Sequence, residues 1–351
     1  MPYPTHENKS HFDTRINPVT RLVNWAETLL RPKRRFADQL NLVSDLPTGL
    51  QRGIVCLGVM KNESLRIADF LSHYRKLGVS GFVLIDNGSS DGTLEYAIEQ
   101  PDCGVLSTNH SYPASGFGSQ WINAAIDRYG LRGRWQVVAD LDELLVYDQC
   151  EKYKLPELAR LLETAGLNAL PCLMLDMYDD GDAEHGEYVA GGSMIDAAPM
   201  FDATGYRRDP SLIKSLRPAT ALAIAGGPRA RTMFDHADKA SMLPYLHKVP
   251  LMKWNSGAGM RTSHEVDPMI RNTSPLRGAL LHFKFLNNSN LTDNARMQEL
   301  DHWNGNQQHS RYFEALGQTA GTTFMFEGSD RYASSRTLVH HELISKLEWA
   351  S

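Results

Sequence analysis

The sequence predicts an α/β protein built around a mostly parallel central sheet. Short apolar runs alternate with amphipathic stretches over residues 53–147, and clusters of polar, turn-forming residues follow three of those runs. Alternating strands and helices require crossover connections, which place neighbouring strands in parallel. Ligands bind beyond the carboxyl ends of such strands, so the polar clusters predict where a site lies.

The first half of the chain contains the regular part of this pattern. Residues 54–59 have the composition of a buried strand, and residues 67–77 have helical apolar spacing that ends at Gly78. Residues 82–85 predict a second buried strand, which leads into a turn-rich cluster. The other elements predicted here are a helix from residue 94, a strand at 105–106, a helix at 121–129 and a strand at 135–139.

The second half is less regular. It predicts a helix over 155–165, strands over 169–177 and 279–286, a helix over 293–304 and an apolar helical tail at Leu343, Ile344 and Leu347. Long turn-rich segments separate these elements, and such loops in compact proteins are usually functional.

Composition excludes several classes of protein. The 36 basic and 41 acidic residues give a formal charge of −5, which argues against a protein that mainly coats nucleic acid. No apolar run reaches the length of a membrane-spanning helix, and the polar N-terminus does not resemble a secretory signal. The four scattered cysteines predict buried thiols and a cytoplasmic protein.

Residues 1–52 are predicted to be an N-terminal extension. Residues 19–30 form an amphipathic stretch, and four basic residues follow it by position 35. This stretch could pack on the domain, which its short length favours, or it could rest on an anionic membrane surface at the inner face.

The motif Asp140-Leu141-Asp142 follows a predicted strand. Side chains two residues apart in extended chain point the same way, so both carboxylates could bind Mg²⁺ or Mn²⁺ and thereby a diphosphate. Glu143 adds a third acid. The alternative is a polar strand end whose acids cap a helix beginning near Leu144.

The cluster over residues 86–93 follows the second predicted strand. Asp86 could accept a hydrogen bond from the imide of a uracil base, which is the interpretation we favour. Asp91 and Thr93 are instead predicted to cap the following helix. The alternative for the whole cluster is a simple strand–turn–helix connection.

Together these motifs resemble the family-2-like glycosyltransferases of the GT-A fold. The resemblance is closest to the bacterial branch with KNE and DxDE motifs, and it is specific over residues 53–147. A looser similarity extends to about Lys284. The segments that carry the resemblance are 59–63, 73–79, 84–93 and 139–143, with 226–231, 248–251 and 281–285 more loosely.

The resemblance implies a three-layer fold and a division of the chain. It places a glycosyltransferase domain at residues 53–290, with a nucleotide-binding half over 53–147 and an acceptor half over 148–290. Residues 291–351 lie outside the resemblance, and their apolar spacing predicts a C-terminal helical region.

The resemblance also implies an activity. It predicts a metal-dependent, hexosyltransferase-type enzyme that transfers a sugar from a nucleotide-diphosphate donor, chiefly a UDP-sugar, with inversion. The acceptor would be a glycan or a lipid-linked molecule, as in the synthesis of cell-surface polysaccharides.

The candidate site residues fall into two groups. The nucleotide-sugar group contains Asn62, Glu63, Asp86 and Asp140, which the resemblance implies, together with Asn87 and Leu141 beside them. Arg229 joins this group because it flanks a Gly-Gly-Pro turn and could hold a phosphate, with an ordinary surface arginine as the alternative. Those assigned to the Mn²⁺ or Mg²⁺ ion are Asp140, Asp142 and His282. On sequence grounds alone, His282 in an apolar run could equally be a core histidine.

The general base of an inverting transfer is not determined by these motifs. The candidates are Asp179, Asp180, Asp182 and Glu265, of which Asp180 and Glu265 are retained and Asp180 is favoured. A solvated acidic turn is the alternative for Asp180. Trp254 precedes a glycine-rich loop and is the predicted platform for an acceptor sugar.

Two other functions compete with the transferase. A phosphohydrolase of the haloacid-dehalogenase type also places Asp-x-Asp after a strand, but it would leave the clusters at Asn62 and Asp86 unexplained. The other alternative is a protein of the same fold that only binds carbohydrate, against which the presence of both Asp140 and Asp142 argues.

Overall fold

A computed structural model describes most of the chain. The described residues are 36–47, 50, 52–181, 188–208, 224–233, 243–255, 257–267, 274–286 and 323–349. The predictions for residues 19–35, Asp182 and the helix at 293–304 lie outside them.

The described elements follow one another in α/β order. The strands are β1 (Asn41–Leu42), β2 (Val55–Met60), β3 (Gly81–Asp86), β4 (Cys103–Ser107), β5 (Trp135–Val138), β6 (Glu143–Val146), β7 (Ala169–Tyr178), β8 (Met200–Asp202), β9 (Arg207–Arg208), β10 (Ile224–Ala225), β11 (His247–Lys253), β12 (Gly259–Met260), β13 (Val266–Asp267), β14 (Gly278–His282) and β15 (Ser329–Arg331). The helices are α1 (Ile67–Lys76), α2 (Thr93–Ile98), α3 (Ser119–Arg128), α4 (Leu155–Thr164), α5 (Met194–Ala197), α6 (Gly227–Thr232) and α7 (Ser335–His340).

The main sheet has the strand order β1-β4-β3-β2-β5-β11-β7-β14-β6. Strands β4, β3, β2 and β5 are parallel neighbours, as the alternating sequence predicts. β11 is antiparallel to both β5 and β7, while β14 is parallel to β7. The predicted α/β class is confirmed, and the parallel pairs of the first half bring their carboxyl ends to one edge.

Apolar side chains cover both faces of this sheet. On β2, Cys56 belongs to one buried cluster with residues of α1 and α4, whereas Val55 and Leu57 belong to another with residues of α3. Because consecutive strand residues point to opposite faces, the sheet forms the middle of three layers. All four cysteines are buried, in agreement with the thiol prediction.

The second half differs from the sequence predictions in several elements. A strand, β6, begins at Glu143, so the acidic motif does not cap a helix. The predicted strand at 279–286 ends at His282, and the apolar tail residues Leu343 and Ile344 are buried beyond the end of α7. Trp254 is 1% exposed and belongs to the core, so the platform prediction is wrong.

The central strand β11 was not predicted. Its register with β7 shifts between Lys248 and Leu251, which places Val249 and Pro250 opposite the single residue Pro171. A proline has no backbone N–H to donate, and bulges are among the few positions where sheets accept one. The bulge therefore lets this polar, proline-containing strand occupy the middle of the sheet.

Candidate metal centre

Two predicted polar clusters meet at the carboxyl edge of β2 and β3. The backbone N–H of Asn62 donates to Oγ of Ser89 at 3.0 Å, and its side-chain Oδ1 accepts from the N–H of Ser90 at 2.9 Å. The N–H of Asn87 donates to the carbonyl oxygen of Met60 at 2.9 Å. Asn62 has a φ of 55°, a left-handed conformation that asparagine tolerates better than most residues. The loops after the two strands thus form one surface.

Asp86 and Asn87 shape the second loop. Oδ2 of Asp86 accepts the N–H groups of Gly88 at 3.0 Å and Ser89 at 3.2 Å, and the residue is 2% exposed. Nδ2 of Asn87 donates to the carbonyl oxygens of Thr108 and His110. Both side chains support the loop backbone, and the contact of Asp86 with a base stays a prediction.

Asp91 connects this loop to the start of α1. Its Oδ1 accepts the N–H of Thr93 at 3.1 Å, and its Oδ2 accepts the N–H of Ser64 at 3.0 Å. Burial alone would raise the pKa of Asp91, but the hydrogen bonds from Thr93 and Ser64 lower it below its usual value. The N–H of Glu63 donates to Oγ1 of Thr93 at 2.7 Å. Asp91 and Thr93 therefore hold the predicted nucleoside-side residues in place.

The acidic motif lies at the same edge, beyond β5. Asp142, Glu143 and His282 each offer one possible ligand atom, and these three atoms lie within 4.8 Å of one another. Nε2 of His282 is 3.4 Å from Oδ2 of Asp142, and His282 pairs with Glu143 in the register of β14 and β6. The predicted ligands Asp142 and His282 are brought together, and Glu143, rather than Asp140, completes this group.

The other nitrogen of His282 contacts a residue that sequence reasoning missed. Nδ1 lies 2.6 Å from Oδ1 of Asp176, whose Oδ2 accepts from Nε of Arg229 at 2.6 Å. Burial alone would raise the pKa of Asp176, but Arg229 and His282 hold it at about 2. Burial alone would lower the pKa of His282, but Asp142 and Asp176 raise it above its usual value. The one sequence signal for Asp176 is its charge inside an otherwise apolar strand.

Asp140 has a different partner. Nζ of Lys248 lies 2.5 Å from Oδ2 of Asp140 and 2.6 Å from Oε1 of Glu143. Burial alone would lower the pKa of Lys248, but Asp140 and Glu143 raise it above its usual range, so the ammonium stays charged. Lys248 belongs to a segment that carries the looser family resemblance, but no site role was predicted for it.

Further cations surround the centre. Arg66 pairs with Oε2 of Glu63 at 2.9 Å, and the charges of both Arg66 and Lys284 help lower the pKa of Asp142. Arg229 is 7% exposed and faces Asp176, as described above. Positive side chains therefore flank the acidic group on the α1, α6 and β14 sides.

The two candidate bases lie in different places. Oδ2 of Asp180 pairs with Arg331 at 2.6 Å, and both side chains are more than half exposed. Glu265 lies just before β13, where its carbonyl oxygen accepts the N–H of Arg261. Its neighbour His264 is close enough to Lys248 and Asp140 for their charges to act on its pKa, which burial lowers to about 4. Glu265 thus lies one residue from a group beside the acidic motif.

This donor set fits a divalent cation. Carboxylate oxygens suit Mg²⁺ and Mn²⁺, and a histidine ligand commonly donates its second ring N–H to a carboxylate. Asp176 provides that carboxylate for His282. The fit rests on Asp142 and His282, with Glu143 beside them.

Known structures resemble this chain over less than half of its length. No protein-family model and no curated protein sequence matches the chain. A solved mannosyltransferase from Pyrobaculum calidifontis, in complex with GDP-Man and Mn²⁺, is similar at 17% identity and a TM-score of 0.27, over 44% of this chain and 46% of that one. A glucosyl-3-phosphoglycerate synthase from Mycobacterium tuberculosis, in complex with Mn²⁺, UDP and phosphoglyceric acid, is similar at 22% identity and a TM-score of 0.23, over 38% and 45%.

A putative glucose-1-phosphate thymidylyltransferase from Bacillus anthracis, in complex with a sucrose, is similar at 11% identity and a TM-score of 0.24, over 38% of this chain and 61% of that one. The chain thus spans about half the length of the first of these structures. Among the described helices, none combines the length and apolar character that crossing a membrane requires.

Proposed function

We propose that this protein is a metal-dependent glycosyltransferase of the GT-A fold that uses a nucleotide-diphosphate sugar as donor. The observation that carries the proposal is the group formed by Asp142, Glu143 and His282, at the edge of the mixed main sheet where β2, β3 and β14 end. The loop over residues 86–93 shares that edge, so the donor's nucleoside and diphosphate would have adjacent places. A UDP-sugar is the proposed donor.

Asp142 and His282 would hold a Mn²⁺ or Mg²⁺ ion, with Asp140 beside them. Such an ion neutralises the charge that develops on a diphosphate leaving group. The chain's own cations, Arg66 and Lys284, lie close enough to Asp142 to share in binding an anionic donor. Asp176 keeps the His282 ring oriented throughout, because it holds Nδ1.

The second half of the chain would receive the acceptor, a glycan or lipid-linked molecule. Inversion requires a general base on the face opposite the leaving group. Asp180 and Glu265 are the two proposed bases. Replacing each by its amide would identify the base, because only that variant should lose turnover while keeping donor affinity. Retention of turnover in both variants would contradict the assignment.

Calorimetric titration with UDP tests the donor site directly. We expect binding in the presence of Mn²⁺, and at least about tenfold weaker binding for Asp142→Asn, the loss typical of a disturbed metal site. Asp102→Asn is the matched control, because Asp102 pairs with Arg75 at the opposite, amino end of β4. GDP, CMP and dTDP follow if UDP fails. If none of the four binds with metal, the transferase proposal is wrong.

One observation favours a second function, phosphoryl hydrolysis of the haloacid-dehalogenase type. Such an enzyme needs a lysine beside its nucleophilic aspartate, and Lys248 lies 2.5 Å from Asp140. Hydrolysis of an aryl phosphate by the wild type, abolished in Asp140→Asn, would establish it. The transferase function remains preferred, because it also gives the loop at Asp86 a role in binding the donor.

A further inference from the structure

Lys248 is a buried ammonium group inside the acidic motif. It is 5% exposed, and its Nζ contacts Oδ2 of Asp140 and Oε1 of Glu143 at 2.5 and 2.6 Å. It comes from β11, a strand far away in sequence that the sheet places between β5 and β7. A buried charge needs close partners, and here the partners are residues of the candidate metal centre.

Glu143 has a protein partner at each of its two carboxylate oxygens. Its Oε1 accepts from Lys248 at 2.6 Å, and its Oε2 accepts from the backbone N–H of Asp140 at 3.2 Å. Each oxygen of Glu143 thus accepts one hydrogen bond from the protein, and Lys248 occupies the Oε1 side. Asp142 and His282 are instead paired with each other, with Oδ2 and Nε2 3.4 Å apart.

The grouping of acidic side chains also favours a cation at the position of the Lys248 ammonium group. Asp140, Asp142 and Glu143 bring three carboxyl groups into four consecutive residues, and Glu143 is 1% exposed. An uncompensated carboxylate as buried as Glu143 is costly, and a metal ion or an ammonium group can each compensate it; the side chain of Asp140, in contrast, is 47% exposed. Lys248 compensates Asp140 and Glu143, while Asp142 lies on the His282 side.

We propose that Lys248 is a resident cation, which takes the place that a second divalent ion would otherwise fill between Asp140 and Glu143. It confines the divalent ion to Asp142 and His282. Lys248 acts as a positioning residue, because it holds Asp140 and Glu143 in place whether or not the ion is bound. The proposal rests on the proposed function only in its use of a metal centre.

The test compares Lys248→Met with the wild type, in EDTA and in Mn²⁺. The readouts are the melting temperature and the number of Mn²⁺ ions bound per chain, measured by electron paramagnetic resonance. We expect the Met variant to melt well below the wild type in EDTA, to regain most of that loss in Mn²⁺, and to bind one more ion than the wild type.

Two further variants separate charge from packing. Lys248→Arg keeps the positive charge and should respond to Mn²⁺ as the wild type does. Lys253→Met is the matched control on the same strand, because Lys253 pairs with the more exposed Glu163 at 2.6 Å and lies away from the acidic motif. It should leave the Mn²⁺ response unchanged.

Each outcome decides the proposal. A Met variant that loses stability equally in EDTA and Mn²⁺, and binds no additional ion, would show that Lys248 only packs. A Mn²⁺ response of the Arg variant equal to that of the Met variant would also overturn the proposal. Should the Met variant fold only when Mn²⁺ is present, the resident-cation role is supported. Mn²⁺ binding by the Met variant but not by the wild type would support Lys248 as a resident cation and refute a metal-dependent enzyme.

Discussion

Nδ1 of His282 lies 2.6 Å from Oδ1 of Asp176, and the two residues are direct partners in the parallel register of β14 and β7. The contact determines which ring nitrogen is left to face Asp142. A carboxylate behind a histidine ligand orients the ring and increases its basicity. Asp176 therefore orients the His282 ring for metal binding even without a bound ion.

Asp176→Asn should weaken metal binding and stability together. The amide removes the negative charge that orients His282 and neutralises buried Arg229. We expect Mn²⁺ affinity to fall about 10- to 100-fold and the free energy of unfolding to fall by about 3 kcal/mol. Titration with Mn²⁺ and urea denaturation measure the two effects.

Asp202→Asn is the control for that experiment. Asp202 is also buried and pairs with Arg231 and the hydroxyl of Tyr178, but it does not touch His282. It should lose stability and keep its Mn²⁺ affinity. Equal losses of affinity in both variants would contradict a specific role for Asp176.

Acid should destabilise the fold through His73. This residue of α1 places Nε2 2.9 Å from the carbonyl oxygen of Leu145, and burial lowers its pKa from 6.5 to about 4. Between those values the unfolded chain binds the proton and the folded chain does not, so stability falls as the pH falls. We expect His73→Gln to lose about 2 kcal/mol less than the wild type between pH 7 and pH 5. Urea denaturation at both pH values checks this, and equal losses would exclude His73 as the group.

Gly58→Ala should disturb the acidic motif, because the added methyl group would press on the residues on either side of Asp140. A Cβ at this position of β2 would lie 3.0 Å from the carbonyl oxygen of Ala139 and 3.2 Å from Cδ1 of Leu141. The added methyl group should cost about 1–3 kcal/mol of stability and weaken Mn²⁺ binding by moving the backbone next to Asp140. Gly81→Ala, at the amino end of β3 with a Cβ 2.9 Å from Leu50, should lose stability alone.

Asp91→Ala should loosen the loop that the donor base is proposed to contact. The change removes acceptors for the N–H groups of Ser64 and Thr93, which should cost about 1 kcal/mol of stability. We expect weaker UDP binding with unchanged Mn²⁺ binding. Asp127→Ala, which breaks a surface pair with Arg132, should alter neither affinity. A loss of Mn²⁺ affinity in Asp91→Ala would argue against separate loop and metal sites.

The sequence predicted the first half well because its information is local. Apolar runs and turn residues determine β2, β3 and α1 within short windows, and parallel pairing follows from their alternation. The centre is completed by residues that only the strand order brings together. Asp176 lies in an apolar run, and Lys248 lies on a strand that contains Pro250, so neither has a local pattern that signals a site.

Asn41 and Leu42 form β1, which pairs antiparallel with Leu106 and Ser107 at the outer edge of β4. The N–H groups of Val43 and Ser44 add hydrogen bonds to the carbonyl oxygen of Val105. A chain shortened to begin at Gly53 would leave this edge open, and open strand edges recruit other chains. Residues 41–44 therefore protect the edge of β4 from pairing with other chains, and a chain that begins at Gly53 should self-associate.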